Sequence, residues 1–236
     1  MRLDRLLANS GCGTRSTVKD AIVKGGVTVN GAVIRDPAFK AEETDDITYF
    51  GESIGAGSFL YFVFDKPDEV LTAMEDKRHK CVGDYITDDL KGKHLSPVGR
   101  LDYHTTGLLL ITNDGELSHK ITSPRYLIPK RYLVSYEGSP FDDDIKEELS
   151  RGITLTDMDK PVKLAPCTLE IRENNECIIT LTEGKTHEVR RIISHYGRTV
   201  STLRRISIGH LELEAVEPGS LRKLTKEEIL QLKDMF

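Results

Sequence analysis

A short polar segment ahead of an apolar run is the part of this sequence best suited to carry chemistry. Residues 99–102 read Gly-Arg-Leu-Asp, and the β-favouring run Leu108–Ile111 follows closely. A lone carboxylate between a glycine-bounded turn and a strand is presented at the rim of a sheet rather than buried in it. The alternative is that Arg100 and Asp102 form a surface ion pair beside a strand, because short motifs also match by accident.

Three further segments carry residues suited to handling a nucleotide. Pro129–Tyr132 sets Lys130 and another cation beside an aromatic side chain at the start of a strand. Glu183–Arg191 is a glycine turn that runs into a basic helix, and Leu203–Gly209 alternates charged and apolar residues. An aromatic face stacks a base and arginines bind phosphates, so these segments and the isolated carboxylate together favour a nucleotide site.

The net charge of −5 conceals two basic regions. Residues 1–40 hold seven Lys and Arg against three acids, a balance of +4, and residues 185–205 hold six against one acid, a balance of +5. Residues 137–159 hold eight acids against two bases, a balance of −6. A basic face with an acidic back can still bind phosphates, because the local field governs binding.

Other patterns argue against several classes of protein. The four cysteines are scattered without Cys-x-x-Cys spacing, and the seven histidines form no metal-binding motif. We therefore expect no metal and no cofactor. The longest apolar runs are too short to span a bilayer, and no signal-peptide core follows the start. We expect a cytoplasmic protein without membrane contact.

The first fifty residues read as a separate module of two basic helices and a small hairpin. The predicted elements are a helix from Leu3 to near Gly11, a helix over 17–24 capped by Ser16, strands at 27–29 and 32–34 around Asn30-Gly31, and a strand at 47–50. With its Arg-Leu-Asp-Arg-Leu-Leu start and Val-x-Val-Asn-Gly turn, this module resembles the S4 RNA-binding domain. The resemblance implies phosphate contacts by basic side chains: Arg2, Arg5, Arg15, Lys19 and Lys24. A helical cap on a larger enzyme is the alternative.

The remainder reads as a second domain. Residues 51–59 are rich in glycine and serine and predict a flexible linker, and residues 60–236 form the domain that follows. Strands are expected at 60–64, 108–112, 132–136, 178–181 and 206–213, and helices at 116–121, 141–151, 187–196 and after the Thr225 capping box. Because strands and helices alternate irregularly, the pattern favours an α+β fold with a mixed or antiparallel sheet.

Taken together, the motifs resemble those of pseudouridine synthases that carry an S4 domain. They are Gly-Arg-Leu-Asp with Thr-Thr-Gly-Leu, Lys-x-Tyr, Glu-Gly-Lys-x-His-x-Val-Arg-Arg and Leu-x-Arg-x-x-Ile-Gly, in family order. The resemblance implies that Asp102 is the nucleophile, that Arg190 forms an ion pair with it, and that Tyr132 stacks on a flipped uracil. It also implies substrate contacts by a wider set: Arg100, Leu203, Lys130, Lys185, His187 and Arg191.

The same resemblance implies an rRNA uridine isomerase that takes part in ribosome biogenesis. Three segments resemble those of small-subunit enzymes: the Met-Arg-Leu-Asp start, residues 36–40 and residues 117–125. This predicts that the target is uridine 516 of 16S rRNA in a partly assembled small subunit. We also expect the enzyme to be a monomer. A large-subunit (23S) enzyme and a non-catalytic assembly factor are the alternatives. Glu188 and Asp65 stand where the family usually has Gln and Asn, and both are expected to add negative charge on the RNA side.

Overall fold

The computed structural model describes residues 2–10, 12–42, 45–54, 59–157, 160–213 and 216–236. Six helices lie in these ranges: α1 (Leu3–Asn9), α2 (Arg15–Val23), α3 (Gly115–Thr122), α4 (Asp143–Arg151), α5 (Glu188–His195) and α6 (Lys226–Lys233). Three short 3-10 turns cover Val82–Tyr85, Asp88–Leu90 and Pro124–Tyr126. None of the helices in the described ranges could cross a bilayer, since all are too short.

The N-terminal module has its own small sheet and its own core. Its strands are β1 (Val27–Val29), β2 (Ala32–Val33), β3 (Ile47–Tyr49) and β4 (Glu52–Ser53), all antiparallel in the order β2-β1-β3-β4. Apolar side chains spaced three and four apart on α1 and α2, such as Leu3, Leu7, Val18 and Ile22, are buried against β1 and β3.

The structure differs from two predictions for this module, the cap of α2 and the start of the linker. Helix α2 begins at Arg15 with Thr14 as its cap, since the Thr14 hydroxyl accepts the Thr17 N–H at 3.2 Å; the predicted cap, Ser16, lies inside the helix. Strand β4 lies in the predicted linker and pairs with β3, so the ordered sheet continues past residue 50. The rest of that linker, at 55–58, lies outside the described residues.

The second domain is built on a nine-stranded sheet. Its strands are β5 (Tyr61–Lys66), β6 (Ser96–Pro97), β7 (Thr106–Thr112), β8 (Lys130–Glu137), β11 (Thr168–Ile171), β12 (Glu176–Leu181), β13 (Thr199–Ile208), β14 (Leu211–Glu212) and β15 (Leu221–Lys223). Seven of them follow the order β11-β12-β8-β13-β7-β5-β15, while β14 pairs with β13 and β6 pairs with β7. A separate hairpin joins β9 (Thr154–Leu155) to β10 (Val162–Lys163). Only β7 and β13 pair in parallel among these pairings, which confirms an α+β fold with a mixed sheet.

The apolar run of β7 is continuous because both faces of the sheet are covered. Leu108 and Leu110 face a core with α3 and α6, whereas Leu109 and Ile111 face a core built from residues 70–101. A strand buried on both sides has no polar face, so its sequence loses the alternation of a half-exposed strand. A third core lies between β8, β12, β13, α4 and α5.

Two glycines set the geometry beside the parallel pair. Gly107 has φ +99°, and a Cβ there would lie 2.3 Å from the carbonyl oxygen of Arg205, so the close approach of β7 and β13 requires glycine. Gly209 has φ +57° and ends β13 in a turn before β14. The predicted single strand over 206–213 is therefore wrong: β13 begins at Thr199 and closes a hairpin instead.

Candidate active site

Asp102 lies in the loop between β6 and β7, and this loop is held from both sides. The Thr72 hydroxyl donates to the carbonyl of Leu101 at 2.6 Å and accepts its N–H at 3.1 Å. The Thr105 N–H donates to the carbonyl of Asp102 at 3.0 Å. Leu101 is buried, whereas 39% of the Asp102 side chain is exposed. The loop therefore buries its apolar residue and presents the carboxylate, as expected from the sequence.

A cavity of about 90 Å³ opens above this carboxylate. It is lined by Arg100, Leu101, Asp102, Thr105, Tyr132, Leu181, Gly184, Lys185, His187, Glu188, Val189 and Leu203. Six side chains predicted as catalytic or substrate-binding thus meet in one place, although they come from four separate segments of the chain. The remaining three predicted side chains, those of Lys130, Arg190 and Arg191, do not line it.

The aromatic and apolar walls come from the sheet. Tyr132 on β8 lies opposite Arg205 of β13 and packs against two of the domain's cores, so the cavity forms where these cores meet. Leu203 on β13 is buried next to it. Since both side chains stand on strands in the middle of the sheet, the surrounding cores hold their positions rigidly.

The side chain within ion-pair distance of Asp102 differs from the one implied by the family resemblance. Arg190 donates from Nη2 to the carbonyl of His104 at 2.7 Å, so it anchors the loop rather than the carboxylate. The ion-pair contact of Asp102 is with His187, whose Nε2 lies 3.7 Å from Oδ1. His187 precedes α5 with φ +50°, a left-handed conformation that non-glycine residues adopt only where the surroundings enforce it.

Two other predicted substrate contacts are occupied within the protein. The Lys130 ammonium donates to the carbonyl of Ile128 at 3.1 Å, and burial, together with Arg205, lowers the Lys130 pKa to about 8. Arg191 holds Asp157 in a bidentate pair at 2.8 and 2.7 Å. Both cations belong to segments that line the site, but their N–H groups bind other parts of the protein.

Lys66 belongs to the site although the sequence did not single it out. Its side chain is fully buried, and its ammonium donates to the carbonyls of Pro67 at 2.9 Å and Tyr103 at 3.2 Å. Burial lowers the Lys66 pKa to about 8, while the charges of Asp68 and Asp102 oppose that change. A lysine at the end of an apolar strand gives no sign of burial in the sequence, because one of its partners, the Tyr103 carbonyl, lies on a distant loop.

The two acids that depart from the family pattern are both inside the protein. Asp65 is 1% exposed and accepts a hydrogen bond from Arg204 at 2.6 Å, and Glu188 is 4% exposed. Neither carboxylate lies on the exposed surface, so any charge they add near RNA acts from inside the protein. Asp65 joins β5 to β13 instead, and Glu188 lines the cavity.

The predicted RNA-binding cations of the N-terminal module fall into two groups. Arg2 holds Asp4 in a bidentate pair at 3.1 and 2.8 Å, and Lys19 lies 4.0 Å from the same carboxylate. The other three, Arg5, Arg15 and Lys24, have exposed side chains. Within the ranges that the structure describes, no three His, Cys, Asp or Glu side chains cluster so as to hold a metal ion.

Comparison with known proteins assigns this architecture to a family. Residues 60–195 match the model described as RNA pseudouridylate synthase, and residues 1–47 match that of the S4 domain. The chain is 37% identical to the ribosomal small subunit pseudouridine synthase A of Escherichia coli (strain K12), over 97% of this chain and 98% of the relative. It is 33% identical to the ribosomal large subunit pseudouridine synthase B of Bacillus subtilis (strain 168), over 98% and 95%.

A solved structure supports the same assignment. The crystal structure of a pseudouridylate synthase superimposes with a TM-score of 0.70 at 33% identity and covers 98% of this chain and 99% of that one. Both the sequence and the fold agree over nearly the whole length. The chain therefore belongs to the RNA pseudouridylate synthase family and is an S4-domain RNA pseudouridine synthase.

Proposed function

We propose that this protein converts one uridine of 16S ribosomal RNA, uridine 516, to pseudouridine, with Asp102 as the nucleophile. The observation that carries the proposal is the meeting of Asp102, Tyr132 and Leu203 in one cavity. A carboxylate, a stacking aromatic and an apolar wall are what a flipped pyrimidine needs. The proposed enzyme works in the cytoplasm as a monomer.

The reaction needs a nucleophile and a way to hold the detached base. In the isomerisation the N1–C1′ bond breaks, the uracil turns, and C5 bonds to C1′; C5 loses a proton and N1 gains one, so no redox partner enters. Asp102 supplies the anionic nucleophile. Tyr132 and Leu203 hold the base by stacking and packing while its bonds change.

Two side chains beside Asp102 support its proposed role. His187 lies within ion-pair distance of the carboxylate, and the fully buried Lys66 donates to the carbonyl of Tyr103, the residue that follows it. These contacts hold Asp102 and its loop in place beside the cavity. Arg190 joins α5 to this loop through its hydrogen bond to the His104 carbonyl.

Support for the small subunit as target comes from sequence and from the relatives. The 36–40 and 117–125 segments resemble small-subunit enzymes, and a 37% identical relative carries that name. The large-subunit relative is 33% identical, so a 23S uridine is the second candidate. We propose that RNA binds along the exposed cations of α1 and α2, because phosphates bind where positive charge is unpaired.

The test uses ribosomal RNA from a strain that lacks the modification. Free rRNA and partly assembled particles are incubated with wild-type protein and with Asp102→Ala, and pseudouridines are mapped by carbodiimide labelling and reverse-transcription stops. We expect one new stop at uridine 516 with wild type only, since losing the nucleophile lowers the rate by at least about 10³-fold. Asp88→Ala removes a carboxylate with a 93% exposed side chain and should behave as wild type.

Each outcome distinguishes one part of the proposal. A new stop in 23S rRNA would keep the chemistry and replace the target. Product formation by Asp102→Ala at the wild-type rate would reject Asp102 as nucleophile. Binding of 16S rRNA without any stop on either subunit would reject the proposed reaction on these substrates.

A further inference from the structure

Glu188 closes the turn that brings His187 to Asp102. Its Oε2 accepts the N–H of Lys185 at 2.7 Å, and its own N–H donates to the Lys185 carbonyl at 3.2 Å. The pair of bonds fixes residues 184–188 just before α5 and supports the left-handed backbone of His187. The carboxyl group that closes this turn also lines the cavity above Asp102.

The other oxygen of Glu188, Oε1, is buried without a hydrogen-bond donor among the described residues. The carboxyl group of Glu183 lies next to the Glu188 side chain. Two ionised carboxylates are both acceptors, so they can share a hydrogen bond only if one holds a proton. An unpaired buried charge is costly, whereas a protonated Glu188 donates from Oε1 and satisfies both groups.

The surroundings place the proton on Glu188 rather than on Glu183. Burial acts against ionisation of Glu183, but hydrogen bonds from Lys185 and from the Ala165 N–H lower its pKa. Burial raises the Glu188 pKa to about 7; the Lys185 N–H opposes this change and the Glu183 charge adds to it. The proton of the pair therefore lies on Glu188, which keeps it to a higher pH than an exposed carboxyl group does.

Other charged or titratable groups face Glu188 from the elements packed around it. They are Arg100, Asp102 and His187 in the same cavity, Lys130 on β8, Cys167 before β11, Glu183 and Lys185 in the turn, and Arg191 on α5. Lys130 and Arg191 already bind the Ile128 carbonyl and Asp157, and burial raises the pKa of the Cys167 thiol to about 11, so it stays neutral. The proton shared with Glu183 is thus the contact that depends on the protonation of Glu188 itself.

We propose that Glu188 is a positioning residue, and that the proton it shares with Glu183 keeps the 184–188 turn closed so that His187 stays against Asp102. The inference rests on the proposed role of Asp102. At alkaline pH the proton leaves, two buried carboxylates repel each other, and the turn opens. Glutamine at this position would keep both hydrogen bonds, but it would not respond to pH.

The first test is the pH dependence of the modification rate at saturating RNA, measured with wild type and Glu188→Gln between about pH 6 and pH 8. We expect the wild-type rate to fall about tenfold by one pH unit above the Glu188 pKa. Glu188→Gln should show no such step, since its amide keeps an oxygen for the Lys185 N–H and an N–H for Glu183. Glu170→Gln, which removes an exposed carboxylate paired with Arg131, should keep the wild-type step.

Substrate titration affects all three proteins alike, so the comparison isolates Glu188. Parallel profiles for wild type and Glu188→Gln would overturn the inference. If the wild-type protein modifies neither 16S nor 23S rRNA, the proposed function fails, and the inference is then decided without RNA.

The second test reads the carboxyl group directly in the free protein. A ¹³C carboxyl resonance that titrates near pH 7 should be present in wild type and missing in Glu188→Gln. Above neutral pH, amide hydrogen exchange of residues 184–188 in wild type should speed up by more than base catalysis alone accounts for. In Glu188→Gln the increase should be no larger than that of base catalysis. Absence of any carboxyl titration near neutral pH would reject the shared proton whatever the enzyme's substrate.

Discussion

At the scale of single residues, buried charge around the site is compensated by specific partners. Asp65 is almost fully buried, and Arg204, with 36% of its side chain exposed, pairs with it across two strands at 2.6 Å. Removal of one partner from such a pair leaves an uncompensated charge, which costs more than the pair itself contributes. The pair therefore joins β5 to β13 close to where the loop that carries Asp102 meets the sheet.

Arg204→Ala should lower the free energy of unfolding by about 2–3 kcal/mol, below the full cost for a buried pair because Arg204 is partly exposed. Combination with Asp65→Asn should recover most of that loss, since the carboxylate that needed a partner is gone. Urea denaturation measures both variants. Arg131→Ala, which breaks the more exposed pair with Glu170, should cost less than about 1 kcal/mol. Equal losses for the single and double variants would contradict the explanation.

At the scale of elements, helix α6 depends on its first turn. Glu228 accepts the Thr225 N–H at 2.7 Å while the Thr225 hydroxyl accepts the Glu228 N–H at 3.2 Å, and Arg222 holds the same carboxylate at 3.0 and 2.7 Å. The Arg222 guanidinium, chiefly, lowers the Glu228 pKa to about 2. This cap orients Leu232 into the core beneath β7.

Glu228→Gln should lower the free energy of unfolding by about 1–2 kcal/mol at pH 7. The Glu228 pKa is depressed in the folded state, so its contribution is complete above the unfolded value of 4.5 and is lost as the pH falls through about 2. The difference between variant and wild type should therefore shrink in urea denaturation at pH 4 and further at pH 3. Glu227→Gln, in the same helical turn, should change stability by less than about 0.5 kcal/mol at any of these pH values.

At the scale of the whole molecule, positive charge is divided between the S4 module and the region after Gly184. In the S4 module Arg15 and Lys24 lie at the two ends of α2 and are exposed, whereas Arg2 is held by Asp4. Exposed cations bind phosphates by releasing counterions, and this makes affinity depend on salt. The acidic α4 region has the opposite charge and is not expected to contact RNA.

Arg15→Ala combined with Lys24→Ala should weaken 16S rRNA binding and make the plot of log affinity against log salt shallower by about 1 to 2 units. The single-turnover rate at saturating RNA should change little, since the S4 module binds and the second domain reacts. Filter binding across a salt series measures the slope. Arg151→Ala, on the acidic α4, should leave the slope unchanged; an equal effect of both changes would contradict a specific role for α2.

Much of this protein follows from local sequence. The helix and hairpin signals of the S4 module, the apolar run of β7 and the Thr225 capping box depend on neighbouring residues, so periodicity and turn chemistry were enough to predict them. The order of the motifs was enough to predict the family, because each motif is a short contiguous segment of the sequence. Six of the nine predicted catalytic or substrate-binding side chains, Asp102, Tyr132, Leu203, Arg100, Lys185 and His187, line the same cavity.

Only the tertiary structure decided which of these residues touch. Arg190 reaches the His104 carbonyl instead of Asp102, and Lys66 is buried under a distant loop. Both contacts join residues far apart in the chain, which the parallel pairing of β7 with β13 and the two cores at the cavity bring together. Burial and partner choice arise from segments far apart in the chain, and hydrophobic periodicity carries no information about them.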